Sequence, residues 1–248
     1  MYNPFTLENK TVLVTGASSG IGRATAIECS KMGATLIITG RNAERLNETF
    51  KQLDNTKSNI AIDGDLTNED FITEMAASIP NVDGIVFCAG VSDTTLIKFA
   101  TRDKFLRVLD VDLLSQVSLV RNLLKKKVIN SGASLVFISS LGAYKVASGL
   151  GLYSAAKSGL ISIMKSVAVE LSSRKIRSNA ILPSMVKTEL INTLDSISAE
   201  DWEKDEVRYP LGYGEPNDVA FTAIYLLSDA TKWMTGSEII IDGGLSLS

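Results

Sequence analysis

Short apolar runs return along the whole chain with stretches of helical spacing between them, and no other feature narrows the possible folds so far. Thr11–Thr15, Thr35–Thr39, Asn59–Ile62, Gly84–Cys88, Leu135–Ile138, Ile176–Leu182 and Glu238–Ile241 are short and largely apolar, with many β-branched residues. A strand with one wet face alternates polar and apolar residues, whereas these runs suit strands buried on both faces. Helices are expected over about Arg23–Met32 (closed by Gly33), Ala43–Leu53, from beyond Asp65-Leu66-Thr67 through Ile79, Arg102–Lys127, Tyr153–Leu171 and Asn217–Ser228. This alternation predicts an α/β fold with a doubly wound parallel sheet of seven strands. At 248 residues and 45% hydrophobic content, with no Pro/Gly/Ser linker, the chain reads as one domain over residues 1–248.

There is no histidine. That removes Ser-His-Asp triads, Cys-His dyads and histidine-based zinc sites together, and no metal is expected. Cys29 and Cys88 fall in separate elements, as reduced thiols of a cytoplasmic protein would. A net charge of −3 argues against non-specific nucleic-acid binding. The N-terminus lacks the basic and apolar regions of a secretory signal, and no uncharged apolar run approaches the ~20 residues that span a bilayer.

Three stretches carry chemistry. Thr15-Gly16-Ala17-Ser18-Ser19-Gly20-Ile21-Gly22 joins the first strand to the first helix. Its glycines let the backbone approach a pyrophosphate, which the free N–H groups and dipole of the helix start would hold. Gly16 to Gly20 also fits the Gly-x-Ser-x-Gly turn of hydrolases, but without histidine that serine has no base. At the end of the second strand, Gly40 stands where a carboxylate would accept from the ribose 2′-hydroxyl of NAD, and Arg41 follows. Arg41 would pair with a 2′-phosphate, so NADP(H) is the expected cofactor, with Ser18 and Ser19 as added donors.

The third stretch runs from Ser139 to Lys157. Tyr153 and Lys157 share a helical face one turn apart. A free tyrosine titrates near ~10, and a neighbouring ammonium favours its phenolate, bringing it toward use as a general acid–base group. Ser140, at the end of the preceding strand, is placed to hold the oxygen being reduced or oxidised. Ser154-Ala155-Ala156-Lys157 also fits the Ser-x-x-Lys motif of penicillin-recognising enzymes, but their Ser-Asp-Asn and Lys-Thr-Gly elements are missing.

Ser140, Tyr153 and Lys157, with Thr-Gly-x-x-x-Gly-x-Gly at residues 15–22, resemble the classical short-chain dehydrogenase/reductase family, a Rossmann-like fold. Further marks span nearly the whole chain: Asp65-Leu66 is similar to the family's adenine-contacting pair, and Asp242-Gly243-Gly244 to its C-terminal motif. Phe87-Cys88-Ala89-Gly90 stands in place of Asn-Asn-Ala-Gly, and Pro183-Ser184-Met185-Val186-Lys187-Thr188 resembles Pro-Gly-x-x-x-Thr, whose Val and Thr positions meet the nicotinamide. The resemblance implies that Lys157 also binds the nicotinamide ribose. Asp112 falls where the family has an asparagine whose backbone carbonyl holds a relay water. A carboxylate there would also act on Lys157.

The resemblance implies a homotetrameric reductase of a ketone, closest to 3-oxoacyl-(acyl carrier protein) reductases. Arg174 and Lys125-Lys126-Lys127 are then candidates to meet an acidic carrier. The altered motifs also point to a side branch acting on another ketone, such as a sugar, a polyol or a small keto acid, and an inactive NADP-binding sensor or scaffold is the reading of another class. A lid is expected over about 190–214, with Trp202, Tyr209, Leu211 and Tyr213 as apolar walls and its acidic residues (Glu200, Asp201, Glu203, Asp205, Glu206) on a solvated face.

Overall fold

The computed structural model describes residues 2–189 and 204–247. Seven parallel strands form one sheet in the order β3-β2-β1-β4-β5-β6-β7. They are β1 Thr11–Thr15, β2 Thr35–Gly40, β3 Ile60–Asp63, β4 Val82–Phe87, β5 Ile129–Ile138, β6 Arg177–Pro183 and β7 Glu238–Ile241. The helices between them are α1 Gly20–Lys31, α2 Ala43–Phe50, α3 Glu69–Ser78, α4 Arg102–Leu109, α5 Ser115–Lys125, α6 Gly151–Glu170 and α7 Pro216–Leu227. No helix among the described residues is long and apolar enough to cross a membrane.

Successive strand residues point to opposite faces, and each face builds its own core. Leu13, Ile37, Ile85, Phe87, Leu135 and Phe137 pack with α3, α5 and α6 through Ile72, Leu119, Leu123, Leu160 and Met164. Val12, Val14, Leu36, Ile38, Val86 and Val136 face α1 and α7 through Ala26, Cys29, Val219, Ala223 and Leu227. The strand order reverses at β1 and β4, where the two halves of the sheet diverge and their C-terminal ends open a crevice, the place at which such sheets bind ligands.

Three expectations need correction. The helix expected over Arg102–Lys127 is two helices, α4 and α5, joined by one wider π turn at Asp110–Leu114. Its apolar spacing continues through the join, so periodicity did not reveal the break. The fifth strand begins at Ile129, not Leu135, because Asn130, Ser131 and Gly132 interrupt the apolar run while the backbone stays extended. Register with β4 shifts in the same region, between Val82 and Gly84. The first helix starts at Gly20, so Gly20 and Gly22 of the Gly/Ser turn are part of its first turn, while Gly16 precedes it.

Candidate active site

β5 and α6 bring Ser140, Tyr153 and Lys157 together. Ser140 leaves β5 in an extended conformation and caps a short 3-10 turn at Leu141–Ala143, its Oγ accepting from the Gly142 N–H at 3.0 Å. That bond uses a lone pair and leaves the hydroxyl proton free to donate. A Cβ placed on Gly142 would lie 3.2 Å from Ser140 Oγ and 3.8 Å from Tyr153 Cε1, so the turn is glycine where the two side chains flank it. Ser139 Oγ donates to the Lys157 carbonyl, and Ser158 Oγ to that of Ala143, which ties α6 to the strand end. Lys157 Nζ lies 5.6 Å from the centre of the Tyr153 ring and donates to the Ile138 carbonyl at 3.1 Å.

Asp112 comes to this cluster through the π turn. It is fully buried, and Oδ2 faces Lys157 Nζ at 3.3 Å. Oδ1 accepts from the Val91 N–H at 2.7 Å. Burial opposes the Lys157 charge, but attraction to Asp112, aided by Tyr153, outweighs it and holds the ammonium above the ordinary lysine range. Gly90 covers the pair so closely that a Cβ there would stand 3.3 Å from Nζ and 3.4 Å from both carboxylate oxygens. The Asp112 carbonyl, expected to hold a water, accepts from the Gln116 side-chain amide at 3.0 Å, and the same amide donates to Ala89. Nothing in the sequence singled out Gln116, because its partners come together only around the π turn.

The phosphate loop packs against the turn after β4. Thr15 Oγ1 accepts from the N–H groups of Cys88 and Ala89, both at 3.1 Å. Gly16 has φ +66°, and a Cβ there would sit 2.9 Å from the Ala89 nitrogen. Phe87, in place of the family's first asparagine, is core: it stacks on its strand partner Phe137 at 4.3 Å between ring centres. Cys88 stands at the junction, and burial pushes its thiol up to about 12, against the opposing pull of Thr25 and Lys157. It is a neutral wall, not a nucleophile.

A groove of about 590 Å3 follows this loop, lined by Gly16, Ser18, Ser19, Gly20, Ile21, Gly22, Arg41, Leu66, Cys88, Ala89 and Gly90. Asn42, Arg45, Thr67, Thr188 and the carboxylate-bearing Glu189 are also on its wall. Arg41 and Arg45 are both exposed, and neither guanidinium has a hydrogen bond or ion pair among the described residues. Arg45 was not foreseen; it stands one helical turn beyond Arg41, and that spacing was its signal. A Cβ on Gly40 would lie 3.1 Å from the Ser18 side chain, which leaves little room for the carboxylate of an NAD site. Asp65 does not line the groove: its Oδ1 accepts from Thr67 N–H and Oγ1. The Gly20 N–H at the start of α1 donates to the Glu189 carboxylate at 3.1 Å, a contact that a phosphate would replace. The glycine cradle and two guanidiniums unmatched among the described residues fit a phosphorylated dinucleotide.

The groove opens into a second cavity of about 440 Å3, and Ile21, Cys88, Gly90 and Thr188 line both. Ser140, Tyr153, Lys157 and Asp112 form its polar end, with Pro183 and Val186 also on its wall. Leu141, Tyr209 and Leu245 pack together on another side. Of the expected lid walls, Tyr209 lines the cavity and Tyr213 backs it edge-on at 4.9 Å. Leu211 is 85% exposed and faces solvent, contrary to expectation. Trp202, Glu200, Asp201 and Glu203 lie outside the described residues. Asp205 and Glu206 are not simply solvated: they pair with Arg208 and Lys187.

Arg174, expected to meet an acidic carrier, donates to the Ile129 carbonyl at the start of β5. Ser140 follows the other end of that strand, about 30 Å away at ~3.3 Å per residue. Lys125, Lys126 and Lys127 lie at the same far end. These cations do not face their own chain's cavity.

Residues 16–246 match a family described as Enoyl-(Acyl carrier protein) reductase. The 3-oxoacyl-(acyl-carrier-protein) reductase of Rickettsia felis is 35% identical over 242 residues, 96% of this chain and 98% of that protein. L-rhamnose 1-dehydrogenase (NAD(P)(+)) of Azotobacter vinelandii is 33% identical over 250 residues, covering 96% of this chain and 97% of its own length. A solved short-chain type dehydrogenase/reductase from Mycobacterium ulcerans superposes with a TM-score of 0.88 at 30% identity, over 98% of this chain and 91% of that one.

Proposed function

The chain belongs to the short-chain dehydrogenase/reductase family of oxidoreductases, and from that premise we propose that it is an NADP(H)-dependent enzyme interconverting a ketone and a secondary alcohol. The observation that carries this reading is one continuous space. It has two unmatched guanidiniums at one end and Ser140, Tyr153 and Lys157 at the other.

In this reading Gly16 to Gly22 hold the pyrophosphate, Arg41 and Arg45 the 2′-phosphate, and Pro183, Val186 and Thr188 the nicotinamide end. The bound nicotinamide supplies the hydride in reduction and takes it in oxidation. Ser140 Oγ, already accepting from Gly142, donates its proton to the substrate oxygen and fixes the ketone. Tyr153 gives that oxygen a proton in reduction and removes it in oxidation. The Lys157 ammonium stabilises the charge left on the tyrosine oxygen and also holds the nicotinamide ribose. Asp112 keeps Lys157 protonated inside the fold.

Two substrate classes remain in this reading, an acyl thioester and a small ketone such as a sugar or polyol. Arg174 is bound up at the far end of β5 and the three lysines lie there too, so the cations expected to meet an acidic carrier are remote from this chain's own cavity, which favours the small ketone. The reading includes a homotetramer: Phe221, Tyr225, Trp233 and Ile240 expose apolar surface on and beside α7 and β7, which a second copy would cover. Light scattering tests that part.

The chemistry is tested with a panel of ketones and alcohols, each with NADPH/NADP and NADH/NAD, followed at the reduced-nicotinamide absorbance. Tyr153→Phe should lower turnover by about 100- to 10,000-fold, the usual range for a general acid–base group, with cofactor binding retained. Near-normal turnover by Tyr153→Phe on any accepted substrate overturns the mechanism.

A further inference from the structure

Among the described residues, five charged side chains line the cavity that holds Ser140 and Tyr153, and four of them are matched in pairs. Lys157 faces Asp112 at 3.3 Å and Arg208 faces Asp205 at 2.6 Å. The fifth is Lys145. Its Nζ donates to the neutral carbonyl oxygen of Leu245 at 2.8 Å and meets no carboxylate among the described residues. Lys145 is exposed at the cavity edge, and it is the one charge on this wall that meets no opposite charge among the described residues.

The position of Lys145 gives that charge a use. Its backbone N–H donates to Leu141 at 2.9 Å, so it sits one turn beyond Ser140 on the segment that carries the serine. The bond to Leu245 holds the ammonium against the apolar side formed by Leu141, Tyr209 and Leu245. Two of its three N–H donors are unspent. An apolar wall lowers the local dielectric and strengthens attraction to an anion entering the cavity. A neutral ketone would leave these donors to water. A carboxylate would satisfy them by charge-assisted hydrogen bonds.

We propose that the substrate is an oxo acid, or the matching hydroxy acid in the reverse direction. Its carboxylate is bound by Lys145 while its ketone lies against Ser140 and Tyr153. This rests on the carbonyl-reductase reading above and narrows it to anionic small ketones. Arg208 on the same wall already faces Asp205 at 2.6 Å, so its charge is engaged within the chain.

The test is kcat/KM with NADPH on 2-oxo to 5-oxo acids and their methyl esters, for wild type, Lys145→Gln and Lys145→Arg. The best acid should exceed its ester by about tenfold, between the worth of a buried charged hydrogen bond and that of an exposed ion pair. In Lys145→Gln this ratio should fall to near one through a higher KM for the acid, and Lys145→Arg should restore it. Calorimetric titration of the oxo acids into the enzyme–NADP+ complex, which has no hydride to give, makes the same comparison without turnover. No acid preference in wild type, or one that survives Lys145→Gln by either measurement, overturns the proposal. Turnover of neutral ketones without acid preference defeats this inference alone, whereas no NADPH oxidation with any ketone defeats the reductase reading beneath it.

Discussion

The catalytic cluster and the nucleotide groove both present cations, and they treat them in opposite ways. Lys157 is buried and meets the carboxylate of Asp112. Arg41 and Arg45 are exposed and meet none. A charge taken out of water is costly unless its partner is built into the fold, so the buried ammonium is neutralised in advance and its task is to act on Tyr153. An exposed guanidinium carries no such cost and can wait for the anion of a ligand. In the proposed reading, the contrast separates a cation that tunes chemistry from cations that select a cofactor.

The largest effect should follow from breaking the buried pair. Asp112→Ala leaves Lys157 buried without a partner and should lower stability by about 3–5 kcal/mol. Urea unfolding measures it, and a midpoint equal to the wild type would show that the pair is not sensed. Its pH dependence has a definite sign. In the wild type the folded-state lysine lies above its unfolded value, so the stabilisation is complete below the ordinary lysine pKa and is lost as pH rises through the raised one. In Asp112→Asn the largest opposing attraction is gone, and burial, countered only by Tyr153 and Cys88, should lower the folded-state value. Stability should then increase with pH as the lysine approaches its unfolded pKa. Parallel stability curves for the two proteins between neutral pH and the lysine range would contradict this account.

Removing an exposed cation should leave stability nearly untouched and act on binding. Arg41→Ala takes a charge-assisted bond from the 2′-phosphate, about 1.5–3 kcal/mol or roughly ten- to a hundredfold in NADPH affinity, with the lower end expected for an exposed group. NADH, lacking that phosphate, should bind nearly as before, and equal losses for both cofactors would reject the assignment. Arg45→Ala should cost less, about threefold for NADPH, as a second and more distant partner. The smallest test sharpens the comparison with salt. Ions screen exposed charges over about 8–10 Å but reach a buried pair poorly. Raising ionic strength should weaken NADPH binding a few-fold while leaving the pH dependence of unfolding in place.

Local pattern settled a large part of this protein. Strand–helix alternation determined the class of sheet, because strands buried on both faces must be apolar at successive positions. The turn at Gly16 to Gly22 and the spacing of Ser140, Tyr153 and Lys157 were legible because each lies within one stretch of chain. The tertiary structure decided the rest. Asp112 meeting Lys157, the Gln116 amide reaching the Ala89 carbonyl, and the Phe87–Phe137 stack all join residues far apart in sequence. The same holds for Arg174, whose partner is a carbonyl at the wrong end of β5, and for Lys145, whose charge stands out only after the other cavity charges are seen to be paired. A side chain's type and spacing state what it is able to do. Which charges are cancelled, and which are left for a ligand, follows from burial and from neighbours that only folding brings within a few ångströms.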